Sequence, residues 1–272
     1  MKTKVIGALA LAGSMVFNTA VANETISVVG SSSVSPIMEV LGETYAQQHD
    51  VTVEVQGPGS SAGIRAAHDG SSDLGMSSRN LKSSEKADNI TEVVIARDGI
   101  AVVVHNNNPV SDLTKEEVAK IYKGEITNWN QVGGEDKPIV VATRDTASGT
   151  RGAFEDIMKL KKKINGTKVS AISQRAQVAS GNGQLKTIVA NNPFAIGYIS
   201  LGSVDGSVKP LAIEGHKPSV EAIKSGEYGV QRPFLVVYKD GRPSKAALEF
   251  LNWIQTKDAQ KIVSSKGFIA IN

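Results

Sequence analysis

Four short stretches of small polar residues carry the side chains best suited to chemistry. They are Gly30-Ser31-Ser32-Ser33-Val34-Ser35-Pro36, Gly57-Pro58-Gly59-Ser60-Ser61-Ala62-Gly63, Ser77-Ser78-Arg79-Asn80, and Arg144-Asp145-Thr146-Ala147-Ser148-Gly149-Thr150-Arg151. Each follows an apolar, strand-like run, and at least three open a stretch of helical period. Serine and threonine offer short hydroxyl donors, and glycine lets the backbone come close to a guest. A helix start adds unpaired N–H groups and a partial positive charge. Brought together, such turns make a donor-rich cavity of low formal charge, whose natural guest is a small oxyanion. One loop of this kind is ordinarily a cap or a turn. Four on one sheet edge, one of them holding Arg144, point to a ligand.

Other chemistries fare worse. Gly59-Ser60-Ser61-Ala62-Gly63 matches GxSxG between a strand and a helix, so an exported serine hydrolase using Ser61 is the alternative from a different class. It would need a positioned histidine, and His68, His105 and His216, which follow Ser61, stand in none of the four loops. No pair of histidines and no carboxylate cluster has metal-ligand spacing, so no metal and no cofactor are expected. Gly57, Gly59 and Gly63 are spaced GxGxxxG, which is neither a dinucleotide fingerprint nor a P-loop.

The elements that must position these loops follow from hydropathy. Apolar runs at TISVVG, VTVEV, DLGMS, TEVVIARDGIAVVVH, PIVVAT, AIGYIS and PFLVVYK read as strands. Helices are predicted where Ile37, Leu41 and Tyr45 share a face, after the Thr114–Glu117 capping box, and around Ala247, Phe250, Leu251 and Ile254. The alternation gives an α/β protein with largely parallel sheets, which bind ligands at their carboxyl edge. Pro36 supports a helix start after the first loop, and the fourth loop is expected to lead into a helix beginning near Gly152. Glu155-Asp156 reads as a solvated helix face, and the run Lys159–Lys163, broken by Leu160, as a solvated helix end without a specific electrostatic role.

The 272 residues hold no cysteine, and 30 Lys+Arg stand against 27 Asp+Glu. That balance does not suggest a nucleic-acid binder. Lys2 and Lys4 precede an apolar run ending at Ala20-Val21-Ala22, the pattern of a secretory signal peptide spanning residues 1–22. Asn18 and Thr19 interrupt the run before the roughly 20 apolar residues of a membrane span. The chain beyond it is nearly neutral. Without cysteine it has neither disulfides nor a lipid anchor, so it is expected free in the periplasm, with no membrane insertion and as a monomer.

The sequence resembles the phosphate-binding proteins of bacterial phosphate ABC transporters, in their shorter form. The resemblance rests on GSSSVSP at 30–36, QGPGSSAGIRA at 56–66, DLGMSSR at 73–79, LTKEEVAKIYKGEITNWNQVGG at 113–134, RDTASGTR at 144–151 and YGVQRPFLVVY at 228–238. It implies a two-lobed type II periplasmic-binding-protein fold, each lobe a mixed, mostly parallel sheet flanked by helices, with inorganic phosphate in the cleft between them. Residues 23–105 plus 236–272 would form lobe I and 106–235 lobe II, the chain crossing along TEVVIARDGIAVVVH and RPFLVVYK. Carried over position by position, the implied ligand set is Ser32, Ser33, Val34, Ser60 with Ser61 beside it, Ser78, Arg144, Ser148, Gly149 and Thr150. Long-form members have an aspartate, which accepts the ligand's proton, where Ser78 stands. That departure leaves sulfate or molybdate as alternative guests. Asp145 is a second candidate acceptor, although a salt bridge orienting Arg144 is the preferred role. The partners implied are the permease subunits of an inner-membrane ABC transporter, and no enzymatic activity is implied.

Overall fold

The strand-like runs and the helical periods alternate as βα units from the first described residue. The structure, a computed structural model, describes residues 23–86 and 89–271, so the expected signal peptide lies outside the described residues. The first units are β1 (Glu24–Gly30), α1 (Ser35–Ala46), β2 (Val51–Gln56), α2 (Ser60–Asp69) and β3 (Leu74–Ser77). β1 lies between β2 and β3, parallel to both, which puts the first three polar loops on one edge. Pro36 stands in the first turn of α1, where its missing N–H costs nothing.

The 15-residue β4 (Ile90–Val104) then leaves this unit. Beyond it come β5 (Asp112–Leu113), α3 (Lys115–Lys123), β6 (Val140–Arg144), α4 (Gly149–Ile157), β7 (Lys161–Ile164), β8 (Thr167–Ser170), β9 (Gln177–Ala179), α5 (Asn182–Ala190) and β10 (Ala195–Ser200). The chain closes with β11 (Lys209–Pro210), β12 (Ala212–Ile213), α6 (Val220–Ser225), β13 (Gln231–Lys239), α7 (Lys245–Ile254) and α8 (Lys257–Ser265). Thr114 caps α3 with its hydroxyl on the Glu117 N–H while Glu117 reaches back, the reciprocal box expected there.

The main sheet runs β2-β1-β3-β13-β4-β10-β6-β9, with β11 also on β4. β13 pairs antiparallel with β4 from Gln231 opposite Gly99 to Lys239 opposite Ile90, and with β3 through Leu235–Val237. β4 continues past that ladder and pairs antiparallel with β10 through Ile100–Val104. Two strands thus join a first set of elements (β1–β3, α1, α2, α7, α8) to a second (β6–β10, α3–α5). Between Phe234 and Leu235 the register slips by one, so Ile95 is an extra residue on β4. A bulge of this kind bends a strand and sharpens its twist.

Each set has its own apolar core. Ile26, Leu41, Met76, Phe234 and Phe250 are among the buried residues of the first. Tyr122, Trp129, Phe154 and Tyr198 anchor the second, where the Phe154 and Tyr198 rings stack 4.0 Å apart. Trp129, from the TNWNQVGG stretch, is buried with its indole N–H on the Phe194 carbonyl at 3.0 Å.

Two local expectations are corrected. α4 starts at Gly149, three residues before the expected point, because Ser148 is its N-cap and accepts the Arg151 N–H. The lysine run is a hairpin strand, not a helix end: α4 stops at Ile157, and Lys159 takes a left-handed φ of 54°. Leu160 is then buried, and Lys161–Ile164 pairs with Thr167–Ser170 around Asn165-Gly166, both at positive φ. That dipeptide is the turn that suits a tight hairpin.

Candidate functional site

The carboxyl ends of β1, β3 and β6 and the N-terminus of α2 meet because glycines let the backbones touch. A Cβ on Gly30 would lie 2.2 Å from the Met76 carbonyl oxygen, and one on Gly63 would lie 2.4 Å from that of Val29. The first and third loops therefore press against the start of α2. Ser31 donates to the Ser78 hydroxyl at 2.8 Å, and the Ser78 N–H donates to the Ser60 hydroxyl at 3.0 Å. Ser31, Ser60 and Ser78 form a buried hydroxyl cluster on the first side of the cleft.

The fourth loop faces it from the second side. Thr150 and Ser33 share a hydrogen bond of 2.8 Å, and Arg144 Nη2 donates to the Ser32 hydroxyl at 3.1 Å. Gly149, first residue of α4, stands so close that a Cβ there would come within 2.1 Å of Ser60 Oγ and 2.6 Å of Ser78 Oγ. The backbone closes on this side too, with the Ser61 N–H on the Ala147 carbonyl at 3.1 Å. Hydroxyls, one guanidinium and the amino ends of α1, α2 and α4 thus converge from both sides of the two connecting strands.

Arg144 is held from behind. Its Nε donates to the Ala179 carbonyl at 3.3 Å and Nη2 to the Ser180 carbonyl at 2.9 Å. The side chain is 1% exposed. Burial pulls its pKa down from the usual guanidinium value, and the Asp145 charge opposes this. A guanidinium remains charged at neutral pH even so. Asp145 does not form the expected salt bridge with Arg144. Its Oδ1 accepts the N–H groups of Ala147 and Ser148 at 2.8 and 3.1 Å, shaping the turn that presents Gly149 and Thr150. The loop is further braced by Tyr198, whose hydroxyl bonds Thr143 at 2.8 Å and whose pKa burial pushes up to about 12.

The remaining sequence-predicted residues divide. Ser148 is buried and spends its hydroxyl on the α4 cap. Val34 is buried in the first core, and its N–H donates to the Ser31 carbonyl at 3.0 Å. Ser61 is turned aside: its hydroxyl accepts from Arg79 Nη2 at 3.1 Å, and none of its hydrogen bonds among the described residues goes to a histidine. That leaves a nucleophilic Ser61 without a base. Glu155, expected on a solvated face, is 7% exposed and pairs with Arg151 at 2.8 Å, because Arg151 must also reach the Arg144 carbonyl.

The fold and this loop geometry are shared with known proteins. A PBP superfamily domain model matches residues 18–258. The curated phosphate-binding protein PstS of Borreliella burgdorferi is 30% identical over 251 residues, 90% of either chain. The chain belongs to the PBP superfamily, in its phosphate-binding protein family. Its fold is accordingly the two-lobed, type II periplasmic-binding-protein fold that the resemblance implied. One similar structure is a substrate-binding protein assigned to a phosphate ABC transporter of Clostridium perfringens, solved with bound phosphate. It is 41% identical, with TM-score 0.86 over 92% of this chain and 100% of that one. Another is an ABC-type phosphate transport receptor of Vibrio cholerae, 42% identical, with TM-score 0.77 over 90% and 99% of the two chains.

Within this phosphate-binding fold the structure adds residues that the sequence did not single out. Asn182, the first residue of α5, donates to the Ser33 hydroxyl at 2.9 Å and accepts from Arg144 Nη1 at 3.3 Å. It brings a second helix start of the second lobe's side to the same point. Beneath the cleft, Arg232 of β13 donates to Asp98 of β4 and, at 3.4 Å, to the Ser78 carbonyl. The clue for Asn182 was a helix period opening just after Gly181; for the pair it was a charged residue within each connecting strand, Asp98 beside Arg97 in β4 and Arg232 in β13.

Proposed function

We propose that this chain is an exported receptor that closes on inorganic phosphate between its lobes and delivers it to the permease subunits of an ABC transporter. The observation that carries the reading is the meeting of Arg144 and Thr150 from one side with Ser32 and Ser33 from the other. A tetrahedral anion held there takes hydrogen bonds from hydroxyls, helix N-termini and a charged fork, the donor set that suits phosphate. The names of the relatives, in Borreliella, Vibrio and Clostridium, point the same way. The proposed ligand set keeps Ser32, Ser33, Ser60, Ser78, Arg144, Gly149 and Thr150 and gains Asn182, while Val34, Ser61 and Ser148 engage partners within the fold.

Ligand contacts from both lobes stabilise the closed arrangement by their differential energy. The lobes comprise 23–105 plus 236–272 and 106–235, and bending of β4 and β13 opens the cleft. No covalent step takes part. No helix among the described residues is long and apolar enough to cross a membrane. With residues 1–22 as a cleaved leader and no cysteine to carry lipid, the receptor works as a free periplasmic monomer.

Ser78 favours a second reading of the guest. The hydroxyls of Ser31, Ser60 and Ser78 bond to one another, and among the described residues no carboxylate hydrogen-bonds to any of the three. A hydroxyl accepts the proton of hydrogen phosphate but equally donates to sulfate, so rejection of sulfate is weaker than a carboxylate provides.

Equilibrium dialysis with radiolabelled phosphate tests both. Arg144→Ala removes a charge-assisted contact worth about 1.5–3 kcal/mol, so affinity falls about ten- to hundredfold. Unchanged binding overturns the site. Displacement of phosphate by equimolar sulfate at every pH overturns the choice of guest.

A further inference from the structure

The lysines that the sequence placed on a helix end form a positively charged wall at the cleft mouth. In the β7–β8 hairpin Lys163 lies directly opposite Lys168, and Lys161 opposite Ser170. Side chains alternate along a strand, so Lys161, Lys163, Lys168 and Ser170 share one face. Of these, Lys161, Lys168 and Ser170 line a crevice of about 600 Å³, against Arg79, Lys82 and Ser83 of the first side, and Lys163 stands beside Lys168 just outside the lining. The crevice reaches inward to Ser148, the cap of α4.

Its lining holds five basic and two acidic side chains. Arg79 is taken up by Glu85, Arg151 by Glu155 and Lys161 by Asp156. Among the described residues no carboxylate pairs with Lys82, Lys163 or Lys168. Like charges directly opposite on a hairpin destabilise it. The Lys163–Lys168 pair is therefore retained at a cost to the fold in a chain that is otherwise nearly neutral. A narrow cleft whose walls carry a net excess of one sign focuses its field and raises the arrival rate of an oppositely charged small ion.

We propose that this hairpin face and crevice form an entry funnel that draws phosphate into the cleft, a property that rests on the phosphate reading above. The effect belongs to association, because neither Lys163 nor Lys168 belongs to the set that holds the anion. It acts over a Debye length, about 8 Å at physiological ionic strength, and fades in salt.

The test compares the parent with Lys163→Gln/Lys168→Gln. Equilibrium dialysis gives the phosphate Kd, and chase of bound radiolabelled phosphate with unlabelled phosphate gives the dissociation rate; their ratio is the association rate. At about 20 mM ionic strength the variant is expected to associate about three- to tenfold more slowly, with its dissociation rate unchanged, and the difference disappears at about 0.5 M. Lys217→Gln/Lys266→Gln removes the same charge from exposed positions that line no part of the crevice, and leaves association as in the parent. Equal association of parent and hairpin variant at low salt overturns the funnel, as does equal slowing by the control pair. Absence of phosphate binding by the parent overturns the functional reading itself, a result distinct from either.

Discussion

Arg232 lies directly opposite Asp98 in the ladder of the two connecting strands, with Nη2 2.8 Å from Oδ2 and both side chains 1% exposed. Ser200 of β10 donates to the same carboxylate oxygen at 2.8 Å. Burial pushes the Asp98 carboxyl up, and the Arg232 guanidinium opposes it. Burial likewise pulls Arg232 down, and Asp98 opposes that. Asp98 Oδ1 is buried with no hydrogen-bond partner, so the pair is a costly device placed where the chain passes between lobes. Its third arm, Arg232 Nη1 to the Ser78 carbonyl, ties the crossing to the floor of the anion site.

Removing one member strands a buried charge. Asp98→Leu and Arg232→Met are each expected to lose about 3–5 kcal/mol, whereas the double variant loses much less than the sum. Urea denaturation of the three variants reads this directly. Additive losses would show that the two groups do not act as a pair.

Gly149→Ala separates closure from folding. Its φ is not in the left-handed region, so alanine is tolerated by α4 itself. The three atoms nearest the added Cβ all belong to the first lobe: Ser60 Oγ, Ser78 Oγ and, 2.9 Å away, Ser60 Cβ. Rotating the Ser60 hydroxyl aside would forfeit its bond from the Ser78 N–H. Overpacking of about 1–3 kcal/mol then falls on the closed arrangement alone. Phosphate affinity drops about ten- to hundredfold, while the thermal midpoint without ligand stays within about 2 °C. An equal loss of thermal stability would mean that the contact belongs to the fold and not to closure.

Asn182 gives a graded test of the second lobe's contribution. Asn182→Ala deletes the bond to Ser33 Oγ, worth about 1 kcal/mol, and weakens phosphate binding about fivefold. Asn182→Asp keeps the shape but puts an acceptor-only carboxylate beside the guest and beside Arg144. It is expected to bind worse than the alanine variant at neutral pH and to recover as the pH is lowered toward the carboxyl's range. Dialysis across pH measures both, and the opposite order would place Asn182 outside the site.

The contrast between loops and hairpin shows what the sequence made legible. Each of TISVVG, DLGMS and PIVVAT is an apolar run that stops at a cluster of small polar residues, so both the strand and its carboxyl-end loop were visible. Parallel pairing gave the β1 and β3 loops a common edge, whereas β6 runs the opposite way and brings its loop from the facing side instead of the expected single edge. Asn182 was not visible, because one asparagine at a helix start reads as a cap and only the fold brings it to Ser33, 149 residues away. Asp98 and Arg232 sit 134 residues apart, and Asp98 follows Arg97 directly, so the strand's composition does not single out Arg232 as its partner. The β7 strand was hidden by its own composition, since three consecutive lysines carry no hydropathy period and only Asn165-Gly166 marked the turn.

Asp73 sets an expectation for acid stability. Its carboxylate accepts the Ser27 N–H and hydroxyl at 2.9 and 2.7 Å, and the Ser244 N–H at 3.0 Å, joining β1 to the start of α7. Burial pushes the carboxyl up, but the hydrogen bonds from Ser244 and Ser27 outweigh it and hold the pKa below the ordinary value of 3.8. The folded state therefore binds this proton less readily than the unfolded chain. The stability so contributed is complete above the unfolded value and is lost as the pH falls through the folded one. Glu85, half-buried and bonded by Arg79, is lowered from 4.5 and adds a loss of the same sign. Urea midpoints are thus expected to decline from about pH 5 downward. Asp73→Asn, which cannot ionise, is less stable than the parent at pH 7, and the gap narrows by pH 3. A gap that stays constant between those pH values would show that the carboxylate's charge contributes nothing at this junction.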